Sequence, residues 1–121
     1  MTPATNPAGS WDARVARPRG VTPVVVHFTT EGQVFLLSGG AGRWSADPSG
    51  RFRFEVAEPI VGERGGYAGW VRIEQEAVLD PVAGRFTSRG RSTVHGVDGI
   101  PAYTADITIV AQRTVETHRV A

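Results

Sequence analysis

The sequence predicts an all-β protein, a closed antiparallel eight-stranded meander barrel. Three observations carry that prediction. Apolar and polar residues alternate with a period of two through several runs, and no segment has a convincing helical period. Glycine and proline recur at short intervals, with Val, Ile, Thr, Phe and Trp concentrated between them. The connections between runs are short enough to join sequential strands as hairpins, and eight such strands hide their edges best by closing on themselves. A β-sandwich is the main competing architecture.

The elements follow in order. "MTPATNPA" is polar and contains proline, so residues 1–8 are expected to form a flexible arm. The domain then occupies 9–113, with a tail at 114–121. The expected strands are 9–17, 22–30, 33–38, 42–46, 51–57, 66–79, 84–97 and 102–113. Glu31-Gly32 is a hairpin candidate. "DPSG" from Asp47 places proline and glycine where a type I turn takes them, and "DPVAG" from Asp80 and "VDGIP" from Val97 read similarly. "GERGG", Gly62 to Gly66, reads as a flexible loop at a barrel mouth.

Bulk composition narrows the functional classes. A chain of 121 residues is one domain, able to bury roughly two thirds of its unfolded surface without covalent staples. Without cysteine there are no disulfides, thiolate metal sites or cysteine nucleophiles. Net charge is +1 with the two signs interspersed, which favours neither nucleic acid nor a membrane as partner. All 13 basic residues are arginine, the mark of a GC-rich gene. The chain has no apolar run near the length of a membrane helix and no secretory signal pattern, so a soluble cytoplasmic protein is expected.

Alternation assigns the faces. Val71, Ile73, Gln75, Ala77 and Leu79 are expected inside, with Arg72, Glu74 and Glu76 outside. Phe52, Phe54 and Val56 point in; so do Phe86, Ser88, Gly90, Ser92 and Val94 of the next long run. Tyr103, Ala105, Ile107, Ile109, Ala111 and Arg113 form the last inner set, and Trp11, Ala13 and Val15 the first. "VTPVVVHF" is apolar on both faces, so the inward placement of Val24, Val26 and Phe28 is the least determined. Large aromatics mixed with Gly, Ala and Ser favour a cavity over a solid core.

The chemistry expected of the chain is sparse. His27, His95 and His118 stand alone, with no metal-ligand spacing, and no metal is expected. Glu74 and Glu76 share a face at i, i+2, but nearby arginines make an exterior charge ladder the simpler reading. The chain has no nucleophile elbow, phosphate loop or dinucleotide fingerprint. What remains is an apolar interior with a few polar tips, the profile of a small-molecule site. The candidate substrate-binding residues are Phe28, Trp44, Phe52, Phe54, Val71, Ile73, Phe86, Ser88, Ser92 and Ile107. Tyr67, Gln75 and Tyr103 are the candidate catalytic groups, because an inward amide or phenol needs a partner or a ligand.

Gly9, Trp11 and the late Arg113 together resemble the lipocalin, or calycin, pattern. There the tryptophan of Gly-x-Trp opens the first barrel strand, and an arginine of the last strand packs over it at the closed end. The resemblance implies that Trp11 and Arg113 close one end. The overall make-up is similar to small lipocalin-like and allene-oxide-cyclase-like barrels of bacterial specialised-metabolite pathways, some of which are cofactor-free cyclases. The resemblance therefore implies a small hydrophobic molecule bound in the barrel, with cyclisation or isomerisation of a polyketide-like intermediate and no cofactor. A non-catalytic carrier or sequestering barrel is the alternative, and a solid structural domain a third. Neither nucleic acid nor membrane is an expected partner; the oligomeric state is left open, a homodimer included.

Overall fold

The computed structural model describes residues 6–114; the rest of the expected arm and tail, His118 included, lies outside the described residues. Eight strands follow one another as β1 (Gly9–Arg17), β2 (Gly20–Phe28), β3 (Gln33–Leu36), β4 (Ala41–Ala46), β5 (Arg51–Val61), β6 (Tyr67–Asp80), β7 (Arg85–His95) and β8 (Pro101–Arg113). Each pairs antiparallel with its successor, and β8 pairs back onto β1, closing a barrel in simple meander order. No helix of the described residues is long and apolar enough to cross a membrane.

Period-two alternation places the core. Phe52, Phe54 and Val56 of β5 are buried between exposed Arg51, Arg53 and Glu55. On β6, Ile73, Gln75, Ala77 and Leu79 are buried between exposed Arg72, Glu74, Glu76 and Val78. Val26 and Phe28 are also buried, and Val24 is half-buried, so the doubly apolar β2 takes its inward face as expected. On the exterior, Arg72 donates to Glu55 at 2.7 Å, and that bond raises the Arg72 pKa above its ordinary value. It is the one ion pair among the described residues.

The two ends of the barrel differ. At one end β1 begins and β8 stops, and the interior is packed with aromatic rings. Phe28 lies edge-on to Phe52, Phe54 and Phe86 at centroid distances of 5.6, 5.3 and 6.0 Å. Trp11 meets Phe86 edge-on at 4.8 Å. At the other end the strands have unequal lengths. Pairing of β8 with β1 stops at Thr108, so Pro101 to Ile107 pair with β7 alone. Pairing of β4 with β5 stops at Ala57, so β5 continues with β6 alone. The β5–β6 and β7–β8 hairpins thus overshoot the barrel rim.

Several sequence-derived boundaries need correction there. Strand β5 runs to Val61, not residue 57, because Pro59 pairs opposite Trp70 on the stretch that β4 no longer covers, where a missing N–H breaks no ladder. Strand β7 stops at His95 and β8 begins at Pro101, with a register shift between Val94 and His95. Gly62 to Gly66 form a hydrogen-bonded turn, not an open loop, with Gly62 donating to the Gly66 carbonyl at 2.8 Å.

Candidate functional site

The closed end is built around Trp11. Its side chain is fully buried, and its Nε1 donates to the Pro7 carbonyl at 2.7 Å. The Arg113 guanidinium lies 4.4 Å from the Trp11 ring centroid, a cation–π stack. It also donates to the carbonyls of Ala8 at 2.8 Å and Asn6 at 3.1 Å. Burial pushes the Arg113 pKa below its ordinary value, yet a guanidinium stays charged in proteins. Residues 6–8 are in this way drawn across the barrel end, with Pro7 buried. This end is a plug of buried side chains.

Several of the sequence-derived wall residues pack at that end. Phe28, Phe52 and Phe86 pack on one another. Trp44 sits edge-on to Phe28 at 6.2 Å, and its Nε1 donates to the Thr29 carbonyl at 2.8 Å. Gln75 is only 3% exposed, and its Oε1 accepts from the Ser88 hydroxyl at 2.6 Å while its Nε2 donates to the Glu74 carbonyl at 3.0 Å. Its amide is satisfied by the protein itself. Ser92 and Ile107 are buried in the barrel wall.

The expectation that Tyr67 and Tyr103 join Gln75 inside the barrel is corrected. Tyr67 is 57% exposed and Tyr103 56% exposed, because both sit on the overshooting hairpins. Alternation gave Tyr103 the right parity, but no strand lies opposite it at that height. Val71 is half-buried on the same overshoot.

The open end holds the interior cavity, of about 200 Å3. Its walls are apolar: Val15, Val24, Phe54, Val56, Ile73 and Ile109 converge from five strands. Phe54 and Ile73 are the two sequence-derived candidates that line it. Its rim carries polar side chains that sequence reasoning passed over, Arg17, Thr22, Ser38 and Glu58. Glu58 was legible: it continues the inward series Phe52, Phe54, Val56 by one more step of two. Gly40 shapes the same wall, since a Cβ there would lie 2.7 Å from a Val56 methyl and 3.3 Å from the Glu58 Cβ.

A larger groove, about 1140 Å3, crosses the sheet from β4 to β8; exposed Arg43, Arg53, Glu74, Arg89 and Arg91 line it together with the sequence-derived candidates Trp44, Phe54, Gln75 and Ile107. It is more open than the cavity at the barrel end, and charged side chains stand along it. Among the described residues no three His, Asp or Glu side chains converge as metal ligands would. His27 is exposed and shares a 2.8 Å hydrogen bond with Ser10. His95 stacks on Trp70 at 4.0 Å with the rings 5° from parallel, and its buried Nδ1 has no hydrogen-bond partner.

A closed eight-stranded antiparallel barrel, plugged at one end and hollow at the other, is thus the class that fold and site define. No protein-family model matches the chain, and no curated protein matches it.

Proposed function

We propose that the protein binds a small hydrophobic molecule at the open end of its barrel. The observation that carries this reading is the apolar cavity beneath the rim. An apolar cavity of about 150 Å3 already suffices to bind benzene, so a volume of about 200 Å3 admits a ring or a short chain. It is smaller than the roughly 300–1,000 Å3 that drug-sized ligands occupy. A longer ligand would keep its remainder on the half-buried Val71 and Val94 of the overshooting hairpins.

Cyclisation or isomerisation of a polyketide-like chain would use the same two surfaces. Its rate advantage would come from holding the chain in a reactive conformation, which needs neither cofactor nor triad. Of the three candidate catalytic groups, Gln75 is engaged with Ser88, so a polar contribution would fall to the exposed Tyr67 or Tyr103. The carrier reading needs the cavity alone, and the geometry favours it for that reason.

The test is a titration with toluene followed by methyl NMR. Shifts concentrated at the cavity methyls of Val15, Val24, Val26, Leu36, Val56, Ile73 and Ile109 are expected; an unperturbed spectrum at saturating toluene would overturn the reading. Time-resolved product analysis with a linear polyene precursor then separates the alternatives. Ring closure faster than in buffer identifies a cyclase, and binding without conversion a carrier.

A further inference from the structure

We propose that Glu58 reads the polar end of the ligand, and that the ligand is therefore amphipathic, an apolar body carrying an amine head. This rests on the open-end cavity being the binding site. Three observations on the page lead to it.

Glu58 lies on the inward face of β5, two residues beyond buried Val56, and lines the cavity mouth. It is half-buried, whereas the other polar rim residues, Arg17, Thr22 and Ser38, are all exposed. Among the described residues its carboxylate has neither a hydrogen-bond nor an ion-pair partner; the one ion pair of the barrel joins Arg72 to Glu55. A half-buried carboxylate that no protein group engages, at the mouth of an apolar cavity, can exchange its water for a donor carried by a ligand. An alkylammonium supplies that donor together with the opposite charge, and its hydrocarbon chain fills the cavity below.

The cross-strand row containing Glu58 extends the argument. Glu58 faces Val71, Val71 faces Val94, and Val94 faces Tyr103. Tyr103 therefore stands three strand spacings away, roughly 14 Å at about 4.8 Å per strand. The head is read at Glu58, and the two valines form an apolar step between it and the phenol. Arg17 is the one cationic group on the rim. It is exposed at the end of β1, where its long side chain can turn its guanidinium into water and away from the cavity mouth.

A matched series of hexylamine, hexanol and hexanoate tests this, with affinities measured by NMR titration on the intact chain. The expected order is hexylamine, then hexanol, then hexanoate. Glu58→Gln should weaken hexylamine about tenfold, the scale of one charge-assisted hydrogen bond, and leave hexanol unchanged. Arg17→Gln should strengthen hexylamine slightly. Equal binding of all three, or an amine preference that survives Glu58→Gln, overturns the assignment while leaving the cavity as the site. Tightest binding by hexanoate overturns it in favour of Arg17. Failure of all three to bind overturns the cavity reading as well. Retention of the wild-type melting temperature and hexanol affinity by Glu58→Gln would exclude misfolding as the cause of any loss.

Discussion

At the residue scale the barrel depends on a few polar atoms that must stay paired. Arg113 holds the plug with a cation–π stack on Trp11 and two donated hydrogen bonds to the backbone of residues 6 and 8. Arg113→Met keeps the apolar stem and removes the charge. It should cost about 1–3 kcal/mol by denaturant titration, given typical values for hydrogen bonds to charged groups and for the partners left behind. The Gln75–Ser88 pair is the second such device. Ser88→Ala strands a buried amide oxygen and should cost about 1–3 kcal/mol. Adding Gln75→Met removes the stranded group, so the double variant should recover most of that loss. A double-mutant cycle showing simple additivity would mean that the pair contributes nothing as a pair.

At the element scale neighbouring strands approach most closely where a side chain is missing. Gly90 of β7 approaches β6 so closely that a Cβ would collide with the Glu74 carbonyl oxygen. Backbone cannot yield as a flexible side chain can, so Gly90→Ala should destabilise by about 1–3 kcal/mol, read as a lowered thermal midpoint. The β4–β5 turn is tied by Asp47, whose carboxylate accepts from the Ser49 hydroxyl and, at 2.8 Å, from the Ser49 amide. The Ser49 hydroxyl hydrogen bond is the main cause holding the Asp47 pKa below its ordinary 3.8. A depressed folded-state pKa stabilises above the unfolded value and ceases to do so as pH falls through the folded one. Asp47→Ala should therefore flatten the acid limb of the stability–pH curve below about pH 4, with little change in its slope at neutral pH. Strand existence was legible at this scale, strand ends less so. Pro59 looks like a terminator in sequence, but a strand edge without a partner tolerates it, and that edge exists because β4 is short.

At the scale of the whole molecule the interior divides between packing and cavity. Phe54 stands at the division: it lines the cavity, and it meets Phe28 at 5.3 Å and Phe52 at 6.0 Å. Phe54→Ala should join the cavity to the space the ring leaves. Stability should fall by about 3–5 kcal/mol, and the thermal shift with a two-ring ligand such as naphthalene should exceed that of wild type. A wild-type barrel that already takes naphthalene as well as toluene would show the cavity to be larger at equilibrium than the resting structure. The chain by itself determined the strand count, their order and the inward face of the clearly alternating strands, because alternation and turn chemistry are local properties of the backbone, and the resemblance carried by Gly9, Trp11 and Arg113 pointed to the plug. It also placed small residues among large ones on that face. Only the tertiary structure decided what those residues do. Phe28, Phe52 and Phe86 fall at the same height and fill the barrel, whereas Val15, Val24 and Val56 fall together lower on the sides of a cavity. The height of a residue along the barrel depends on the register between strands, which alternation leaves undetermined. That same register carries Tyr67 and Tyr103 past the rim into solvent and leaves Glu58, one step beyond the core of its strand, at the mouth.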